Sequence, residues 1–238
     1  MSLVVAAIAV LSGTAELAAE QDRVRWQGRM RHIAVHAPNS APSGAALLLT
    51  LGDPGRSARY ALDSWRELAD QKGFVVAAVS SQDPGGWRSP LDGPGLLRAV
   101  VQQMKTRHQI DPHRVYLFGS GAGGGFVLSI GALQPSYFAA VASFGGEPQL
   151  GALSAYQLDR ALPVRVYFPK RMPQFEVDAL VEAASALRGS GAEVEVERLD
   201  VGPDFERRGR KVAARIWAAL SSHALSEPPR YRSTPYGG

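Results

Sequence analysis

Apolar residues in this chain fall into two kinds of run that alternate along its length. Residues 45–51, 74–79, 115–118, 138–144 and 163–168 are short and nearly continuous in apolar side chains. Strands covered on both faces have that pattern. Between them, apolar residues recur three and four apart: Leu62, Trp65, Leu68 and Ala69 within 61–71, then Leu97, Val100, Val101 and Met104 within 96–107. Phe126, Val127, Ile130 and Leu133 repeat the spacing, and residues 177–187 and 212–220 are read as two further helices. This is the period of an amphipathic helix packed on a core. Residues 23–26, 31–35 and 194–199 alternate polar and apolar instead, which predicts half-exposed strands, the first two joined by a turn at Gly28. Strands alternating with helices predict an α/β fold, a mostly parallel central sheet with helices on both faces. No internal repeat or linker interrupts residues 23–222, so one domain is expected.

Composition narrows the picture. A chain of 238 residues with 45% hydrophobic content can bury one sizeable core. The net charge of +4 is spread over scattered arginines rather than a basic stripe, which argues against a nucleic-acid partner. Without cysteine there is no disulfide or thiolate metal site, and five histidines without metal-ligand spacing argue against a metal. No cofactor is implied. The apolar run 2–11, followed by Gly13 and Ala15, has the length of a signal-peptide core and is too short to span a bilayer. Residues 1–15 are therefore expected to be a leader of a secreted or periplasmic protein. No Lys or Arg precedes the run, so a buried strand or helix in a cytoplasmic protein is the alternative. The tail 226–238, rich in Pro, Arg, Tyr and Gly, is predicted to be disordered.

The candidate chemistry centres on residues 114–125. Val115 to Phe118 reads as a strand, a glycine cluster follows, and a helix begins directly after it. Strand, tight turn and helix form the setting of the nucleophile elbow G-x-S-x-G. Gly119 and Gly123 occupy the outer glycine positions, and Gly121 stands where the serine would be.

The stretch from Asp111 to Gly124, with Phe138 to Gly146 one crossover later, resembles the α/β-hydrolase superfamily, in particular its polyhydroxybutyrate depolymerase and feruloyl esterase group. That group carries D-P-x-R-V-Y-V-x-G-x-S-A-G-G and then F-A-A-V-A-x-x-x-G. The resemblance runs over residues 29–222, is specific around 111–146, and implies a single-domain α/β-hydrolase fold. It also implies three catalytic positions, and this chain departs at each. Gly121 replaces the nucleophilic serine. Met172 stands where the acid of an H-G-x-x-D pattern would follow the strand 163–168. Pro203 stands where the histidine of G-x-G-H-x-F would follow the last strand. Glycine has no attacking oxygen, and proline neither accepts nor relays a proton.

Two functions remain open at this level. One is a non-catalytic binding or interaction module, a pseudo-esterase. Its pocket would be lined by Gly52, Asp53, Trp87, Gly121 and Ala122, with backbone N–H groups that suit a small ester or carboxylate ligand. The other is a weak or altered carboxylic-ester hydrolase that uses a displaced nucleophile, Ser120, or a carboxylate such as Asp53 or Asp204 with water. A partner-binding role for the basic tail is a further possibility.

Overall fold

In the computed structural model, residues 20–89, 91–146 and 157–233 are described. The leader expected at 1–15 lies outside them. Strands β1 (Glu20–Trp26) and β2 (Arg29–His36) form an antiparallel hairpin. Its two turn residues, Gln27 and Gly28, both take positive φ (47° and 74°), as a tight hairpin turn requires. Strand β2 then pairs antiparallel with β4 (Val75–Val79). From β4 onward every pairing is parallel, through β3 (Leu47–Leu51), β5 (Val115–Ser120), β6 (Ala140–Phe144), β7 (Pro163–Pro169) and β8 (Glu193–Leu199). The result is one eight-stranded sheet in the order β1-β2-β4-β3-β5-β6-β7-β8.

Both faces of this sheet are covered, and β3, β4, β5 and β6 are buried at every position. Leu47, Leu49 and Leu51 face a core shared with Val100, Met104 and Val127. The intervening Leu48 faces a second core with Trp65, Phe118 and Ile216. The first core is closed by α3 (Pro94–His108), α4 (Ala122–Leu133) and α5 (Gln174–Gly189). The second is closed by α1 (Ala58–Asp63), α2 (Arg66–Lys72) and α7 (Arg210–Ser221). Among the described residues, no helix is long and apolar enough to cross a membrane.

Two departures from the sequence reading matter here. The single helix expected over 61–71 is two short helices, and a four-residue helix, α6 (Phe205–Arg208), precedes α7. Disorder does not extend to the described part of the tail, 226–233. The Gln134 amide donates to the Arg232 carbonyl at 2.7 Å and accepts from its N–H at 2.9 Å. The Tyr231 ring meets Tyr137 edge-on and lies under Arg98. One aromatic ring and one buried amide supply the area and the backbone partners that the tail's composition lacks.

Candidate functional site

Register brings the carboxyl ends of β3, β5 and β6 level: Leu51 is opposite Gly119, and Ser120 is opposite Phe144. The turn from β5 into α4 therefore faces the loop after β3, which begins Gly52-Asp53. At its tip Gly121 adopts φ 53°, ψ −132°, a conformation L side chains rarely take. The sharp elbow thus persists, with its strain relieved by glycine. The Gly121 N–H donates to the Phe144 carbonyl at 3.0 Å, and its own carbonyl accepts from Gly124 N–H at 2.8 Å. Packing is so close that a Cβ on Gly146 would fall 1.7 Å from the Gly121 oxygen.

Asp53 occupies the space above this elbow. A Cβ built on Gly121 would lie 2.0 Å from Asp53 Oδ1, so the carboxylate sits where a nucleophile's side chain would emerge. The same oxygen accepts the Ala122 N–H at 3.0 Å. That N–H opens α4, where the helix dipole favours a negative charge. It is also the donor that the elbow motif aims at a substrate oxygen. One side chain therefore fills the place that the motif gives to a nucleophile and takes up the N–H that the motif gives to an oxyanion hole.

Ser120 faces away from that donor. It is 2% exposed, and its hydroxyl donates to Glu206 Oε1 at 2.5 Å. Glu206 is the second residue of α6, whose first turn is capped by Asp204 accepting the Arg207 N–H at 3.1 Å. Burial pushes the Glu206 carboxyl above the usual carboxylate range. The Ser120 hydrogen bond opposes the shift, and the charges of Asp53 and Asp204 add to it. Gly52 completes the packing, since a Cβ there would meet Glu206 Oε1 at 2.8 Å. The cavity lined by Gly52, Asp53, Arg56, Tyr60 and Glu206 measures about 10 Å³, room for roughly one water.

Trp87 is not an open pocket wall. It is 5% exposed, stacks on Phe126 at 5.4 Å, and donates its Nε1–H to the Gly52 carbonyl at 2.9 Å. Its part is to hold the end of β3 in place from behind. Met172, in the loop after β7, lies with its methyl 3.9 Å from where a Gly145 Cβ would be, beside the end of β6. Pro203 lies between β8 and α6, exposed at the rim of a larger cleft. Of the described histidines, His36 pairs with Asp70 and His113 with the Leu225 carbonyl. Glu206 is the member of the cluster that sequence reasoning missed. Its helix is too short to show a period, and the one available signal was the carboxylate three residues beyond Pro203.

Comparison with known proteins agrees with this architecture. No protein-family profile matches the chain. It is 31% identical over 151 residues to the bifunctional acetylxylan esterase/xylanase XynS20E of Neocallimastix patriciarum, a match taking in 60% of this chain and 22% of that protein. It is 31% identical over 132 residues to poly(3-hydroxyalkanoate) depolymerase C of Paucimonas lemoignei, covering 50% of this chain and 32% of that one. The chain thus spans well under half the length of these curated relatives. Among solved structures, the hyperthermophilic esterase of Pyrobaculum calidifontis superposes with a TM-score of 0.67 at 15% identity, over 87% of this chain and 86% of its own. The fold is that of the α/β-hydrolases, and the sequence relatives are esterases and polyhydroxyalkanoate depolymerases.

Proposed function

We propose that the protein is a non-catalytic member of the α/β-hydrolase fold, a pseudo-esterase whose role is binding or interaction. The observation that carries this reading is the Asp53 carboxylate, seated over Gly121 and bonded to the Ala122 N–H. An ester entering from solvent would meet a fixed negative charge at the point where its carbonyl oxygen gains charge during attack. That arrangement raises the barrier that an oxyanion hole exists to lower. Met172 and Pro203 leave the site without the acid and base of the resembled triad. The ligand would be a small ester or carboxylate bound without turnover. Export belongs to the same reading, on the strength of the apolar run 2–11 and the small residues Gly13 and Ala15.

The competing reading, an altered hydrolase, draws on the Ser120–Glu206 hydrogen bond, since a carboxylate can act as a general base. Burial of Ser120 and the mere 10 Å³ of the cavity beside Glu206 weigh against that reading, because no ester fits there. The test is hydrolysis of a short-chain nitrophenyl ester by the protein and by Ser120→Ala, with labelling by a phosphonate serine-hydrolase probe. Neither turnover nor labelling is expected in either protein. Turnover or labelling that disappears in Ser120→Ala would overturn the proposal.

A further inference from the structure

A cleft far larger than the cavity at the elbow lies beyond the carboxyl ends of β7 and β8. It encloses about 420 Å³, within the range of sites that hold small molecules. Ligands of open α/β sheets bind on this side, outside the carboxyl ends of the strands. The two loops that would bear the acid and base of the resembled family supply most of its lining, and here they present opposite chemistry. Lys170 and Arg171 follow β7, Asp200 and Pro203 follow β8, and Lys211 reaches in from the first turn of α7.

Charge decides what such a cleft can take. Three cations line it against one carboxylate, and that carboxylate is committed: Asp200 bridges Lys170 at 3.0 Å. Among the described residues, Arg171 and Lys211 have no ion-pair partner. The first turn of α7 also contains no acidic residue to balance Lys211. Two like charges facing one cavity repel each other, and an anion placed between them removes that cost.

We propose that this cleft binds a small organic dianion, a dicarboxylate or a phosphate monoester, held between Arg171 and Lys211. The proposal rests on the non-catalytic reading, in that the anion is a ligand and not a substrate. Arg171 supplies a planar fork suited to one carboxylate or phosphate, and Lys211 a point charge for the second negative group. Lys170 remains tethered to Asp200 at the rim.

Calorimetric titration of the full chain at physiological salt tests this with four probes: glutarate, glycerol 3-phosphate, inorganic phosphate and the neutral dimethyl glutarate. Saturable binding is expected for glutarate or glycerol 3-phosphate and not for the dimethyl ester. Preference for glutarate assigns carboxylate recognition, preference for glycerol 3-phosphate a phosphate monoester. Inorganic phosphate binding as tightly as both would refute an organic ligand. The double variant Arg171→Gln/Lys211→Gln should bind about tenfold more weakly, the scale expected for losing two ion-pair contacts made by exposed side chains. The control Arg25→Gln/Arg29→Gln removes two exposed cations at the opposite edge of the sheet and should bind as the parent does. No binding of any dianion, equal binding of the neutral diester, or equal weakening in the control would overturn the proposal. Ester turnover by the parent would instead sink the non-catalytic reading, so the two failures are told apart.

Discussion

Replacing Gly121 with serine restores the side chain that the elbow motif expects, and the structure predicts that the change costs stability without returning activity. Two terms set the size of the cost. A non-glycine residue at φ 53°, ψ −132° carries strain of about 1–3 kcal/mol. Its Cβ would also fall 2.0 Å from Asp53 Oδ1, so the carboxylate must swing away and give up the Ala122 N–H. That bond is partly exposed to solvent, so its loss adds about 1 kcal/mol. The total of about 2–4 kcal/mol is readable as a lower denaturant midpoint at unchanged slope. A double-mutant cycle separates the terms. Asp53→Ala alone should cost about 1 kcal/mol, whereas in the Gly121→Ser background it should cost nothing or stabilise, because it relieves the clash. Nitrophenyl ester hydrolysis should stay at background in every member of the cycle, since Pro203 stands where the histidine base would take the proton of a serine at 121 and return it to the leaving alcohol. Equal effects of Asp53→Ala in both backgrounds would refute the account of Asp53 as the occupant of the elbow. Ester turnover by Gly121→Ser alone would refute the account of the missing base.

Glu206→Gln keeps an acceptor for the Ser120 hydroxyl while removing the titration. Because burial raises the Glu206 carboxyl, the folded protein binds its proton more tightly than the unfolded chain does. Stability should therefore fall as pH rises from the ordinary carboxylate range through the raised value, and Glu206→Gln should flatten that fall. Thermal unfolding of both proteins across this window checks the sign, and a parent that gains stability there relative to the variant would contradict it. Beyond the carboxyl end of β4, Arg31 and Asp92 form a buried ion pair at 2.7 Å. Asp92 also accepts the N–H groups of Gln82 and Arg88, which ties down the loop that carries Trp87. Asp92→Ala should lose about 3–5 kcal/mol, because it strands a buried guanidinium. A loss below about 1 kcal/mol would show that solvent reaches the pair.

How much of this protein its sequence alone determined follows from the range of the forces involved. The strands, most helices and the elbow are local: β-branched apolar runs, three-and-four spacing and a glycine cluster act within a few residues of one another. The replacement of the nucleophile by Gly121 was legible for the same reason, because the motif that exposes it is contiguous. Tertiary structure decided what filled the vacated site. Asp53 reaches Ala122 across 69 residues because β3 and β5 run parallel in register. Ser120 finds Glu206 across 86 residues because α6 folds back over the sheet's carboxyl edge. Trp87 reads in sequence as a pocket aromatic, and only its bond to Gly52 shows it as a buried prop. The cationic cleft likewise joins Lys170 and Arg171 to Lys211 through the pairing of β7 with β8. Local patterns report which segments become strands and helices. Which polar groups meet at the ends of those strands depends on register, a property of the whole sheet.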